Sequence, residues 1–121
     1  MAMREFSRAD RLSAQLMREL SSLLLDFDSK PADMLISIVE VEISKDLRYA
    51  RVFYSVLGGE EAADKAETFF RDHYKQIRME LAGRMRIKFM PELKFQYDKS
   101  IERGQRISEL LDRIKKDEEQ Q

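Results

Sequence analysis

"VEVEISKDLRYARVFYSVLGG", residues Val39 to Gly59, decides how the chain is read. In its first half Val39, Val41 and Ile43 alternate with Glu40 and Glu42, so a strand would hold the apolar residues on one side and the acids on the other. After "SKDL" the period of two resumes, with Ala50, Val52, Tyr54 and Val56 opposed to Tyr49, Arg51 and Phe53. Two half-buried strands around a short polar turn read as an antiparallel hairpin. Gly58 and Gly59 end it with permissive backbone.

Outward from the hairpin the period changes to that of helices. "SRADRLSAQLMRELSSLLLDF" spaces Ala9, Leu12, Leu16, Leu20, Leu23, Leu24 and Phe27 at intervals of three and four, an apolar stripe that should pack on a sheet. Ser7 and Asp10 have capping-box spacing, and Pro31 in "DSKPAD" supplies the exit. On the other flank, "EEAADKAETFFRDHYKQIRMEL" forms a second stripe from Ala62, Ala66, Phe69, Phe70, His73, Ile77 and Leu81. Glu60, Glu61 and Asp64 suit the positive end of its dipole, and Gly83 is expected to weaken or stop it. Leu93, Phe95 and Tyr97 then alternate with Lys94, Gln96 and Asp98 in a third strand introduced by Pro91. Ser100 can cap a last helix, "IERGQRISELLDRIKK". Helical stripes beside a three-stranded sheet predict a two-layer α+β domain.

A chain of 121 residues fits one domain, 1–121, with frayed ends at 1–6 and 116–121. Hydrophobic residues at 43% and charged residues at 37% argue for a globular fold with a heavily solvated exterior. The absence of cysteine excludes a disulfide framework and thiolate chemistry. No apolar run approaches the roughly 20 residues of a membrane span, and "MAMREFSRAD" lacks a secretory core, so a cytoplasmic location is expected. The formal net charge of -1 hides segments of opposite sign: residues 74–106 carry nine Lys/Arg against four Asp/Glu, residues 59–73 two against five.

No catalytic constellation is nominated. His73 is the only histidine and sits on an apolar stripe, where a packed ring is the simpler reading. One histidine with carboxylates matches closed metal sites poorly, and "LGGEE" lacks the lysine and hydroxyl of a phosphate loop. Glu40 and Glu42 are explained by a solvated strand face.

The basic stretch "RMRIKFMPELKFQYDKS", Arg84 to Ser100, offers more. If extended, it would turn Met85, Ile87 and Phe89 inward and Arg84, Arg86 and Lys88 outward, each cation able to meet a phosphate. Lys75 and Arg78 on the preceding helix could widen this patch, Lys94 and Lys99 continue it, and Arg103 and Arg106 join it from the last helix. Arg4, Arg8 and Arg11 could form a second contact, diluted by Glu5 and Asp10. The competing reading is an ordinary solvated surface, since Lys and Arg cover exposed strands in most proteins. Tyr49, Phe53 and Tyr54 could stack on bases or belong to the core.

The order of these elements resembles the ribosome-binding factor A family. The resemblance is carried by "FSRADRLSAQLMREL", by "VEVEISKDLRYARVFYSVLG", and by "MRIKFMPELKFQYDKSIERGQRISELLDRI" with its colinear "PEL", "GQRI" and "LL". It implies a KH-like type II domain, a mixed three-stranded sheet faced by helices, with an additional C-terminal helix. It also implies a non-catalytic, cofactor-free assembly factor that binds the free 30S subunit and assists late 16S rRNA maturation, acting as a monomer. Where the family carries an Ala-x-Gly kink, this chain reads His73-Tyr74-Lys75. Two other readings stay open: a protein-interaction domain using the C-terminal helix or a sheet edge, and, with least support, a carboxylate enzyme.

Overall fold

Ser7 starts the first helix as its spacing predicts. In this computed structural model, which describes residues 7–99, the Ser7 Oγ accepts the Asp10 amide and the Asp10 carboxylate accepts the Ser7 amide, both at 3.1 Å. Helix α1 (Arg8–Leu25) buries Leu16, Leu20, Leu23 and Leu24, and Phe27 follows them into the core. Strands β1 (Ile36–Ile43) and β2 (Tyr49–Val56) form the antiparallel hairpin, and helices α2 (Gly59–Asp72) and α3 (Tyr74–Met85) lead to β3 (Glu92–Tyr97). The sheet order is β1-β2-β3, with β3 parallel to β2. α1 packs on β1 and α3, while α2 packs on β2 and β3. This is the mixed sheet faced by helices of a KH-like type II domain. The expected last helix and both expected frayed ends lie outside the described residues.

Register explains how the core fills. Ile43, Ala50 and Leu93 form one row across the strands, Val41, Val52 and Phe95 the next, and Ile38, Tyr54 and Tyr97 the third. The first two rows do not extend the expected β1 alternation to its start, because pairing slips between Ile38 and Glu40. Val39 is the extra residue of this bulge, so Ile38, not Val39, takes the buried position above Val41. Above the sheet, Phe70 stacks on Phe95 with centroids 4.1 Å apart and lies 4.8 Å from the Tyr54 ring. Burial, reinforced by the charge of Glu67, pushes the Tyr54 hydroxyl up to about 12.

Three expectations from sequence need correction. The single helix from Glu60 onward is two helices, broken at His73 (φ -109, ψ 15), whose amide donates to the Phe69 carbonyl at 3.0 Å while its own carbonyl accepts the Ile77 amide at 2.9 Å. Such a break at negative φ requires no glycine. The imidazole holds it by packing 5.6 Å from Phe27 and 5.0 Å from Phe69. Gly83 does not stop α3, because Ile77, Leu81 and Met85 are all buried at four-residue spacing and outweigh a penalty of about 1 kcal/mol. The helix ends instead at Arg86, in the left-handed region at φ 52 with its amide on the Ala82 carbonyl.

The Arg84–Phe89 stretch is therefore not one extended, alternating segment. Arg84 and Met85 are helical, Arg86 is the cap, and the short connector beyond it is fixed at its far end. Arg78 clamps that end, donating from Nη2 to the Met90 carbonyl at 2.8 Å and from Nε to the Pro91 carbonyl at 3.4 Å. Pro91 is fully buried, the Glu92 amide donates to the Arg48 carbonyl at 2.8 Å, and the Leu93 amide donates to the Tyr74 hydroxyl at 3.0 Å. Phe89, expected inside, is 78% exposed at the connector's tip.

Three outcomes follow for stability. A Cβ at Gly83 would meet nothing within 4 Å, so Gly83→Ala should stabilise the fold by about 0.5–1 kcal/mol, read as a higher urea midpoint. Arg78→Ala strands two partly buried carbonyls and should cost about 1.5–3 kcal/mol, whereas Lys88→Ala should leave the midpoint almost unchanged. Tyr54 is raised in the folded state, so its contribution is intact below pH 10 and lost as pH climbs toward 12; Tyr54→Phe should flatten the decline of the urea midpoint across that window.

Candidate nucleic-acid interface

The "SKDLRY" turn is built by its own polar side chains. The Ser44 hydroxyl donates to Asp46 Oδ1 at 2.7 Å and accepts the Tyr49 amide at 3.1 Å, and the Arg48 amide donates to the same Asp46 oxygen at 3.1 Å. The Ser44 hydroxyl foremost, then the Arg48 amide, hold the Asp46 carboxyl below its usual range. Leu47 is forced into the left-handed region at φ 62. This turn sets the direction of Arg48 and Tyr49, the latter 57% exposed beside inward-facing Ala50.

The turn forms one wall of a groove. The first turns of α1 supply a second, and Arg78 with the connector residues Ile87–Met90 supply the third, enclosing about 880 Å³. Arg8, Arg11, Arg48, Arg78 and Lys88 line it, against the carboxylates Asp46 and Glu92. Asp46 is spent on the turn and lies 4.0 Å from Arg48, which partly neutralises that cation. Among the described residues, the Arg8 and Arg11 side chains have no hydrogen-bond or ion-pair partner. Opposite charge entering this groove would meet guanidinium groups already gathered on one surface.

The residues singled out from sequence are thus divided. Arg78 and Lys88 line the groove together with Arg8 and Arg11, two patches that sequence kept apart. Lys75 and Arg86 are exposed but are not among the lining residues. Arg84 turns toward α1, its Nη1 donating to Ser22 Oγ at 3.3 Å. Ser22 lies roughly 20 Å along that helix from Arg8, at about 1.5 Å per residue. Arg4, Arg103 and Arg106 lie outside the described residues, as does the C-terminal helix considered for protein docking. Sequence reading missed Arg48, and the signal available for it was its place directly after the "SKDL" turn and before an outward Tyr49. Among the described residues no group of three metal-ligating side chains occurs, and no helix is long and apolar enough to cross a membrane.

Comparison with known proteins bears on the whole unit. The family model for ribosome-binding factor A matches residues 8–111. Ribosome-binding factor A of Nitrosomonas eutropha is 41% identical over 109 residues, which span 90% of this chain and 93% of the relative. The crystal structure of ribosome-binding factor A from Thermus thermophilus is similar at a TM-score of 0.62 and 26% identity, covering 75% of this chain and 97% of that one. Coordinates of the Thermus thermophilus factor fitted into a cryo-electron-microscopy map of its complex with the 30S subunit are similar at a TM-score of 0.61 and 26% identity, covering 74% and 93%. From its capped first helix through its broken second one to the third strand, this chain belongs to the ribosome-binding factor A family.

Proposed function

We propose that the chain is a non-catalytic assembly factor that binds the free 30S subunit through this groove and assists late maturation of 16S rRNA. The observation that carries the reading is the convergence of five cations from three separated segments on one groove. The fitted complex of the Thermus thermophilus relative with the 30S subunit supports the partner. In this reading Arg8, Arg11, Arg48 and Lys88 hold phosphates, and Arg78 contributes charge from a fixed position. Lys75, Arg84 and Arg86 serve as outer contacts, and Arg103 and Arg106 are kept as further phosphate-binding candidates. The protein works as a monomeric domain in the cytoplasm, without cofactor.

No bond need be made or broken for such a role. A protein that binds one RNA arrangement better than its alternative shifts the population toward it, and about 1.4 kcal/mol of difference changes the ratio tenfold. Phosphate contacts supply affinity through counterion release and set orientation without reading sequence.

The test is co-sedimentation with purified 30S subunits over a series of salt concentrations. Replacing Arg8, Arg11, Arg48 and Lys88 together by Ala should weaken binding by roughly tenfold or more and reduce the salt slope by about one unit per lost phosphate contact. The circular-dichroism spectrum should stay that of the parent. Parental affinity in that folded variant would remove the groove from the binding surface.

A further inference from the structure

Residues 59–73, with five acids against two bases, have no part in the cationic groove. They border a second depression. Where the 29–34 loop faces α2, two hollows of about 350 and 450 Å³ share Pro31, Met34 and Lys65, and so form one trough. Pro31, Met34, Val56, Ala62 and Phe69 give it an apolar floor, and Leu57, 73% exposed, stands at one end. The His73 ring, packed on Phe27 and Phe69, closes the other. The loop wall is held by its own backbone: the Met34 amide donates to the Pro31 carbonyl at 3.0 Å, and Lys30 Nζ donates to the Met34 carbonyl at 2.7 Å. The trough lies past the end of α1 and the cationic groove at its start, roughly 25 Å apart along that helix at about 1.5 Å per residue.

Charge complementarity selects the occupant. Asp33 on the loop and Glu61, Asp64 and Asp72 on α2 are exposed at the rim, against one lining cation, Lys65, which stands 3.8 Å from Glu61. Among the described residues the Asp33, Asp64 and Asp72 side chains have no hydrogen-bond or ion-pair partner. These acids repel a phosphate backbone and gain nothing from a neutral ligand. A protein segment that carries both cations and an apolar side chain satisfies rim and floor together. Asp64 and Asp72 are eight residues apart on α2, about 12 Å at 1.5 Å per residue. Four residues of extended chain span about 13 Å, and residues at even steps along it share one side. We propose that the trough docks an extended segment of a partner protein in which two Lys or Arg residues, four apart, flank an apolar residue. Its cations meet Asp64 and Asp72, its apolar side chain covers Pro31 and Met34, and Asp33 receives the next cation along. This adds a protein-binding face and does not rest on the assembly-factor reading.

The full chain would be titrated, with amide NMR as the readout of both affinity and place, with a peptide carrying Arg-x-Leu-x-Arg between Ser and Gly residues. Two control peptides put Ser for the Leu or set the arginines side by side. Amide shifts should gather at residues 29–34, 56–58 and 61–73. Replacing Asp33, Asp64 and Asp72 together by Asn should weaken the first peptide by roughly tenfold in a variant with the parental circular-dichroism spectrum. Lys65→Ala should tighten it by about two- to fivefold, because the one opposing cation is gone. Both control peptides should bind the parent about as weakly as the first peptide binds the Asn variant. Undiminished affinity in that variant, shifts gathered elsewhere, or equal binding of the three peptides overturns the proposal. Spermine that displaces the peptide at equal concentration would make the trough a plain counter-ion surface, and a salt-sensitive dimer abolished by the Asn substitutions would make the occupant a second copy of this chain; either result overturns it. The variant with Arg8, Arg11, Arg48 and Lys88 replaced by Ala should bind the peptide at least as well as the parent, and weaker binding there would place the peptide outside the trough and overturn it too. Failure of that variant to lose 30S binding, beside a peptide that still needs the three acids, would sink the assembly-factor site alone.

Discussion

The parallel pairing of β2 with β3 is the constraint from which the rest of the molecule follows. An antiparallel neighbour can be reached through a tight turn, as β2 is from β1, but a parallel one needs a crossover of a dozen residues or more. Here the chain runs out at Leu57 and returns at Glu92 by way of α2, α3 and the connector. The stack of Phe70 on Phe95 ties the outgoing helix to the strand the chain comes back to. Since Glu92 must arrive beside Tyr49, the connector is delivered next to the hairpin turn. The groove lies where the crossover meets the turn, beside the start of α1.

That geometry separates what local pattern could reveal from what it could not. The stripe of α1, the hairpin and the alternation of β3 were legible because burial imposes a period on each, and the family resemblance added the mixed sheet. The bulge at Val39 left no trace, since Ile38 and Val39 are both apolar and either could have faced the helices. The break at His73 left no mark in the apolar stripe, which continues across it without glycine or proline, and only the family resemblance pointed to that position. Alternation in Arg84–Phe89 misled because a helix end, a cap and a connector can also alternate over six residues. Arg8, Arg11, Arg78 and Lys88 were each visible as cations. Their meeting, and the part of Arg48, depend on the crossover, which no local period encodes.

Arg78 joins fold and site in one side chain. Its guanidinium satisfies two connector carbonyls while standing among the groove cations, so the wall it secures is rigid before any ligand arrives. Fixing such a wall during folding lowers the ordering cost at binding. The clamp also leaves Arg78 less able than Arg8 or Arg11 to follow a moving anion.

Helix α1 carries Arg8 at its first position and Arg11 at its fourth, directly after the Ser7 cap. The aligned peptide dipoles make that end of the helix positive, which favours acids there and disfavours each cation by about 0.3–1 kcal/mol. Asp10 offsets part of the mismatch through the cap. What is a penalty to the isolated helix is an asset at its mouth, because backbone polarity reinforces the side chains and does not titrate. Thermal robustness and anion affinity therefore pull in opposite directions within a single helical turn.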